Sequence, residues 1–200
     1  MGKYSVIPAQ AYDELILGEG VLAYDFDPAS GTLDPLDIIA ATSSSNIFKA
    51  TPMYTDMGDK LTNCPKNTLE LKRLDGWNAT VSGKACTASS KWVKAFVGAA
   101  EADSDGVATV YPSKIKDESF CDVWLIADYS SVNTGEDAGF IAIRLKNALS
   151  EDGKLTFSPN QKGVFDFSFK AHQSITQPGE PPFEVYLRRA ESQDGQEVSL

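Results

Sequence analysis

The stretch from residue 163 to residue 170 constrains the fold more than any other part of this sequence. Phe165, Phe167 and Phe169 recur at every second position, and polar side chains occupy the positions between them. Successive side chains of an extended strand point to opposite faces, so this pattern is typical of a strand with one buried face. The three phenylalanines then require a second layer of structure to cover them.

Similar patterns elsewhere make the chain mainly β. Residues 183–188 alternate in the same way, and residues 121–129 and 139–145 are richer in apolar side chains, as in the centre of a sheet. Residues 15–26, 68–74 and 77–82 predict further strands, and residues 107–111 predict a weaker one. We therefore expect an antiparallel β-sandwich or barrel.

One segment has a helical period instead. Apolar residues recur at intervals of three and four at Trp92, Val93, Phe96, Val97 and Ala100. This spacing predicts one flanking α-helix over residues 89–100, with Ser89 or Ser90 as its N-cap. We expect Trp92 and Phe96 to be buried against the phenylalanine face of residues 163–170.

Residues 28–66 predict a long loop or hairpin excursion from a single domain of residues 1–189, because four prolines and a polar patch interrupt every period there. The excursion also holds apolar side chains that are unfavourable in a free loop. We interpret these as candidate contacts with another subunit: Ile47, Phe48, Met53, Tyr54 and Met57. The alternative, that they fold back on their own sandwich, stays open. Residues 190–200 predict a flexible acidic tail.

The charge of the chain excludes several function classes. Its 200 residues include 18 basic and 28 acidic side chains, a net charge of −10, and residues 101–200 alone hold 9 basic and 17 acidic ones. Binding to nucleic acid phosphates needs clustered Lys and Arg, so such binding is not expected. No apolar run reaches the length of a membrane-spanning helix. No signal-peptide pattern opens the sequence, so secretion by that route is not expected.

The residues that often carry chemistry have simpler interpretations here. Cys64, Cys86 and Cys121 have irregular spacing, and the only histidine is His172, so no zinc site is expected. Cys121 and His172 are the elements of a nucleophile pair, but Cys121 begins an apolar strand and is expected in the core. We predict three free thiols and no enzyme.

Two further motifs are incomplete. Residues 18–23 match a dinucleotide-binding GxGxxA pattern, but the chain continues in strand-like alternation rather than opening a helix. Residues 101–106 resemble the start of an EF-hand loop, yet Pro112 stands where the bidentate carboxylate belongs. No metal or other cofactor is predicted.

Six short stretches, taken in order, carry a resemblance to a known family. They are Gly18–Leu22, Asn63–Leu71, Asp122–Tyr129, Gly139–Asn147, Lys162–Phe169 and Pro182–Tyr186. Their order, with one helix between groups of strands, resembles the major tail (tail tube) proteins of siphovirus-type bacteriophages, which have long non-contractile tails. The resemblance spans roughly residues 15–188.

The resemblance implies a β-sandwich or barrel that assembles with copies of itself into stacked hexameric rings. The lumen of the stack would carry DNA during ejection into the host, with DNA as non-specific cargo. Implied partners are the tape measure, tail terminator and distal tail proteins, with no membrane and no cofactor. The protein would be located in the virion tail after assembly in the cytoplasm of the host bacterium.

A DNA conduit should not bind its cargo, so acidic groups facing the lumen would keep DNA sliding. Candidates for such groups alternate with apolar neighbours on the predicted strands: Asp122, Asp128, Asp166 and Glu184. The alternative is a uniformly solvated acidic surface.

Two other functions stay open at this stage. One is a different virion β-protein, such as a capsid decoration or tail-tip protein. The other is a calcium-dependent carbohydrate-binding β-sandwich, whose acidic loops would hold the ion. Assembly into tubes separates the tail tube function from monomeric binding.

Overall fold

The computed structural model describes residues 16–43, 45–87, 91–102, 107–111, 113, 115–129, 139–159 and 163–188. Within these ranges the chain forms one short helix, α1 (Trp92–Val97), and ten strands: β1 (Ile16–Ala23), β2 (Ile38–Ala41), β3 (Ile47–Asp56), β4 (Lys72–Ala85), β5 (Ala100–Ala102), β6 (Ala108–Val110), β7 (Cys121–Tyr129), β8 (Phe140–Thr156), β9 (Val164–Lys170) and β10 (Phe183–Arg188). The predicted class, mainly antiparallel β with one flanking helix, is confirmed. No helix in the described part of the chain is long and apolar enough to cross a membrane.

Eight of the strands form one sheet, which the long strand β8 divides into two layers. Residues 140–148 of β8 pair with β7, and residues 140–145 also pair with β10. Residues 149–156 of β8 pair with β9 instead. The five-stranded layer is therefore β2-β1-β7-β8-β10, and the four-stranded layer is β8-β9-β4-β3; every pairing is antiparallel.

Asn147 lies where β8 passes from one layer to the other. Its φ of 48° is in the left-handed region, which Asn adopts more readily than most residues. Its backbone N–H donates to Asp122 Oδ1 at 3.0 Å, and its side-chain amide donates to the carbonyl of His172 at 3.3 Å. Leu145 and Ala148 are both buried although they are three residues apart, so the alternation of β8 changes phase here.

The main core lies between the two layers. Phe165, Phe167 and Phe169 of β9 are 4%, 4% and 2% exposed, which confirms the face predicted from their spacing. The five-stranded layer contributes the aliphatic half of this core, including Leu22, Ile39, Val123, Leu125, Ile143 and Leu145. The layers are held together chiefly by burial of this apolar surface.

Helix α1 is shorter than the predicted segment 89–100. Gly98, with a φ of 73°, ends it, and Ala100 already belongs to β5. Ser89 and Ser90 lie outside the described residues. Trp92 meets Phe165 edge-on with ring centroids 5.2 Å apart, so the helix does cover the phenylalanine face. Trp92 and Phe96 are half-buried rather than buried, because they lie at the margin of the core.

A second, smaller core covers the opposite face of the five-stranded layer. Phe26 packs edge-on against Trp124 and Phe140, with centroid distances of 5.5 and 5.0 Å. Leu33 packs against the same cluster. The segment between β1 and β2 thus lies across the outer face of this layer.

The predicted excursion over residues 28–66 is not one long loop, because much of that range forms regular strands. Strands β2 and β3 lie within it, and β3 pairs with β4 from Ile47–Ser82 to Asp56–Lys72. Conversely, the strand expected at residues 68–74 begins as a 3-10 turn at Leu69–Leu71. Pro52 and the many exposed apolar side chains of β3 hide its alternation, so local pattern did not indicate a strand.

The other predicted strands agree with the structure more closely. β7 and β10 have the expected bounds, β9 begins one residue later than expected, and β8 continues eleven residues beyond the predicted end at Leu145. The predicted acidic tail, residues 190–200, lies outside the described residues.

Candidate assembly interface

Strands β3 and β4 extend beyond the rest of the four-stranded layer as a two-stranded ribbon. β4 pairs with β9 only through residues 80–85, whereas it pairs with β3 from residue 72 onward. Residues 50–79, here called the arm, therefore have one ladder and no third strand among the described residues. An isolated two-stranded hairpin is marginally stable in water. The arm consequently needs contacts outside its own ladder.

Aromatic contacts supply these at the base of the arm. Trp77 meets Phe183 of β10 edge-on, with ring centroids 5.4 Å apart. The buried Ala79 belongs to the main core. The base of the arm is thus fixed to both layers of the sandwich.

The tip of the arm is held by one carboxylate. Asp56 accepts a backbone hydrogen bond from Gly58 through Oδ1 and another from Asn67 through Oδ2, each at 2.9 Å. The N–H of Met57 donates to the carbonyl of Leu71 at 2.9 Å, which continues the ladder past β3. Asn67 adopts a positive φ of 61°, as tight turns require. The tip is therefore an ordered turn with a defined surface.

Four of the five predicted subunit contacts are exposed on or beside the arm. Ile47, Met53, Tyr54 and Met57 are 58%, 50%, 54% and 55% exposed. Phe48 differs, because it is half-buried and packs against Phe183. The structure therefore leaves four of these side chains available to a partner and places Phe48 against its own sandwich.

The arm also exposes three leucines that sequence reasoning missed. Leu61, Leu69 and Leu74 are 56%, 83% and 47% exposed. Leu69 and Leu74 fall in the stretch 68–74, which was predicted as a strand. The arm therefore exposes several large apolar side chains, which a partner could cover.

The arm is electrically neutral in an acidic protein. It holds four basic and four acidic residues, so the remaining 14 basic and 24 acidic residues carry the whole net charge of −10. Two copies of this chain repel each other through their net charge. The arm adds no net charge to that repulsion when it approaches a second copy.

The four candidate lumen acids do not share one face. Three of them lie on the outer face of the five-stranded layer. Asp122 and Asp128 alternate with the core positions of β7, and Glu184 is paired in register with Arg144 of β8, whose other neighbour in the sheet is Trp124. Asp166 lies on the outer face of the four-stranded layer, between the buried Phe165 and Phe167. At most three of the four can therefore face the same lumen.

A network of ion pairs holds two of these acids. Arg144 donates to Asp122 Oδ2 at 2.6 Å from Nη2 and to Glu184 Oε2 at 3.2 Å from Nη1. Lys146 Nζ lies 2.7 Å from Glu184 Oε1, and the Tyr186 hydroxyl donates to Glu184 Oε2 at 2.7 Å. Their negative charges are thus matched locally by cations.

The same network sets the ionisation of its members. Burial opposes ionisation of Glu184, but hydrogen bonds from Lys146 and Tyr186 and the charges of Lys146 and Arg144 outweigh it, so the pKa of Glu184 is lowered. The hydrogen bond to Glu184 is the main reason that the pKa of Lys146 is raised. The pKa of Tyr186 is raised for the same reason.

Asp166 and Asp128 have different surroundings. Asp166 lies 3.7 Å from Lys84 Nζ and is paired in register with Lys84 on one side and Lys154 on the other. Asp128 is exposed near the end of β7. Of the four candidates, Asp128 is thus the acid with the freest access to solvent.

The residues considered for catalysis and metal binding are placed as follows. Residues 18–23 belong to β1 and open no helix. Cys121 packs against the main core, and His172 Nδ1 lies 3.1 Å from the carbonyl of Asn147. None of the three cysteines forms a disulfide within the described residues. The described residues contain no group of three or more His, Cys, Asp or Glu that could hold a metal ion. Residues 103–106 and Pro112 of the EF-hand-like motif lie outside the described ranges.

Comparisons with known proteins add the following. No protein-family model matches this sequence, and no curated protein matches it. Among solved structures, a chain in the virion of a native gene transfer agent (GTA) particle has a TM-score of 0.38 and 9% identity, with 78% of this chain and 92% of that chain covered. A chain in the tail of an empty GTA particle, solved with C6 symmetry, has a TM-score of 0.33 and 11% identity, with 77% and 91% covered. Likeness at this level carries no functional conclusion for the present chain.

Proposed function

We propose that this protein is a structural subunit of a phage-like virion. It polymerises into stacked hexameric rings that form the tail tube, the conduit for DNA ejection. The observation that carries the proposal is the arm, an ordered, neutral, two-stranded ribbon that exposes six large apolar side chains among polar ones: Met53, Tyr54, Met57, Leu61, Leu69 and Leu74. The order of sequence elements along the whole chain resembles that of siphovirus-type major tail proteins, and this resemblance supports the same function.

The arm gives a physical reason for self-assembly. Its exposed apolar side chains are stabilised when a partner removes them from water, at about 25 cal/mol for each Å² buried. The proposed partner is a second copy of this chain, since a neutral arm adds no net charge repulsion when it approaches an acidic body. Free strand edges in the sandwich add backbone pairing between copies.

The remaining partners follow from the proposed function. A tail tube subunit would also contact other tail proteins, such as the tape measure, tail terminator and distal tail proteins. It would be located in the virion after assembly in the cytoplasm of the host bacterium. DNA would pass as cargo without sequence-specific binding.

The acidic lumen stays a prediction, now with a restriction. Asp122 and Glu184 are matched by Arg144 and Lys146, so their effect on passing phosphates is reduced. The net charge of −10 per subunit still gives an assembled tube an overall negative field.

Purification of the full chain followed by light scattering and negative-stain imaging tests the proposal. We expect tubes to form at high subunit concentration, where few isolated monomers remain. Averaged end views of these tubes should show six-fold symmetry. A protein that stays monomeric at every concentration and salt level would contradict it. Calcium-dependent retention on a carbohydrate matrix by that monomer would support the alternative binding function instead.

A further inference from the structure

Strand β8 has a β-bulge at the point where it passes from one layer to the other. Asp122 of β7 lies opposite two residues of β8, Lys146 and Asn147, because the register shifts by one between the pairs that flank them. A bulge of this kind adds one residue to a strand, bends the strand and increases its twist. The bulge residue with a positive φ is usually glycine, whereas here it is Asn147. Lys146 and Asn147, here called the joint, therefore redirect β8 between the layers.

All four backbone polar groups of the joint have hydrogen-bond partners. The N–H of Asn147 donates to Asp122 Oδ1 at 3.0 Å, and its carbonyl accepts from His172 Nδ1 at 3.1 Å. The N–H of Lys146 donates to the carbonyl of Pro182 at 2.8 Å, and its carbonyl accepts from the N–H of His172 at 3.1 Å. Because a carbonyl can only accept, Nδ1 of His172 carries a proton. The start of β7 and both ends of the connection between β9 and β10 thus hold the joint.

One set of these partners leads directly to the base of the arm. Ala171, which precedes the histidine, donates its N–H to the carbonyl of Ala79 at 3.0 Å. Ala79 is fully buried in the main core. In the next row of the four-stranded layer, Leu149 pairs with Lys170, and Lys170 pairs with Thr80. The joint therefore lies in line with the residues from which the arm extends.

The other partner leads to the arm through aromatic rings. Pro182, whose carbonyl accepts from the joint, is fully buried, and Phe183 follows it as the first residue of β10. Phe183 meets Phe48 and Trp77 edge-on, each with ring centroids 5.4 Å apart. Phe48 lies on β3 beside the arm, and Trp77 lies on β4 at its base. A displacement of the joint would thus move both the backbone and the rings that hold the arm.

The two layers are also linked at the opposite end of β4. Thr42 forms an isolated bridge with Ala85, and its hydroxyl accepts the N–H of Gly20 in β1 at 3.1 Å. Ala85 is the last residue of β4, whereas the arm begins at Ala79 and extends the other way. That end of the sandwich is therefore fixed independently of the joint, and the joint links the layers at the end that carries the arm.

From these contacts we infer that the joint is a positioning element for assembly, because it sets the direction of the arm relative to the five-stranded layer. The inference rests on the proposed role of the arm in assembly. Residues 72–79 of β4 span about 26 Å at about 3.3 Å per residue, so a rotation of about 10° at the joint displaces the tip by about 4 Å. This displacement is nearly the spacing between paired strands. Side chains of the arm that match a surface on a second copy would then miss it.

Distances between spin labels on the monomer test the inference. Nitroxide-bearing non-natural amino acids replace Lys66 at the tip of the arm, Asp128 on the five-stranded layer and Lys154 on the four-stranded layer, two at a time. All three side chains are exposed, and the native cysteines stay in place. The labels are compared in the native chain, in Asn147→Ala and in Asn147→Gly. Alanine disfavours a positive φ, whereas glycine permits it.

In Asn147→Ala we expect the distance between positions 66 and 128 to shift or broaden by about 4 Å or more, as the displacement of the tip requires. The distance between positions 66 and 154 should stay unchanged, because both lie in the same layer. Asn147→Gly should keep both native distances. The critical concentration for tube formation should rise about ten-fold or more in unlabelled Asn147→Ala and less than about two-fold in Asn147→Gly.

The monomer distances and the assembly measurement separate this inference from the proposed function. An unchanged distance between positions 66 and 128 in Asn147→Ala would overturn the inference and leave the tube intact. A displaced arm in a chain that assembles normally would overturn it too, because the direction of the arm would then not matter to assembly. A native chain that forms no tubes would contradict the proposed function, while the monomer distances would still decide whether the joint directs the arm.

Asp122→Ala is the second variant, for use if Asn147→Ala does not fold. It removes the acceptor of the Asn147 N–H, and we expect the same change in the distance between positions 66 and 128. Glu184→Gln is the matched control, because this carboxylate belongs to the same ion-pair network but bonds to the side chains of Arg144, Lys146 and Tyr186. The control should lower stability and leave both distances at their native values. Equal shifts in Asp122→Ala and Glu184→Gln would reflect a general loss of stability and would overturn the inference.

Discussion

Phe48 of β3 packs edge-to-face on Phe183 of β10, with ring centroids 5.4 Å apart and planes at 60°. This pair joins the edge strand of one layer to the edge strand of the other. Phe48 was predicted to contact another subunit together with its exposed neighbours. Its position explains why one member of that set should affect folding, while the others should affect assembly.

Phe48→Ala should therefore lower the free energy of unfolding of the monomer. Full truncation of a buried Phe costs about 3–5 kcal/mol, and we expect about 2 kcal/mol here because Phe48 is half-buried. Met53→Ala, at a side chain that is 50% exposed, should change monomer stability by less than about 1 kcal/mol. Urea unfolding at low protein concentration measures both. Equal losses for the two variants would contradict this division.

Phe167→Ala should be the more damaging substitution. Phe167 is 4% exposed between its neighbours on β9, and its removal should cost about 3–5 kcal/mol and lower the melting temperature by several degrees. Ile175→Ala is the control, since Ile175 is 94% exposed. An unchanged melting temperature for Phe167→Ala would show that the core is assigned to the wrong face.

Substitutions in the arm should prevent assembly without unfolding the subunit. Leu69→Ser removes a side chain that is 83% exposed, so monomer stability should change little, while the critical concentration for tube formation should rise at least ten-fold. Leu36→Ser is the matched control, because Leu36 is 78% exposed but lies outside the arm. Sedimentation of polymer against free subunit gives both values. Equal effects of the two substitutions would remove the arm from the interface.

A fall in pH should lower the free energy of unfolding of the subunit, partly because Glu184 becomes protonated. The pKa of the Glu184 carboxyl is lowered from its ordinary value of 4.5 in the folded state. The ionised carboxyl therefore stabilises the fold above pH 4.5, and this stabilisation is lost as the pH falls through the lower folded-state pKa. Glu184→Gln should therefore reduce the urea midpoint at pH 7 and have a smaller effect at pH 3. An equal effect at both pH values would mean that the Glu184 charge contributes nothing.

The sequence by itself determined the strands whose side chains report burial directly. The bounds of β7 and β10, the phenylalanine face of β9 and the existence of one short helix all follow from local periodicity, because a buried face imposes its repeat on the side chains of its own strand. The expectation that Cys121 packs with the core, because it begins an apolar strand, is also met: Cys121 is partly buried against the main core.

Tertiary structure alone decided the features that depend on residues far apart in the chain. The sequence of β3 shows no apolar alternation because apolar side chains also occupy exposed positions such as Ile47 and Tyr54, so only pairing with β4 identifies it as a strand. At Asn147 the alternation of buried side chains along β8 changes phase, and the second half of the strand lies in the other layer. Asp122 and Asp166 both alternate with apolar neighbours in the sequence. They lie on opposite outer faces because β7 and β9 belong to different layers. Periodicity assigns a residue to one side of its own strand, whereas the packing of the two layers decides which way that side points.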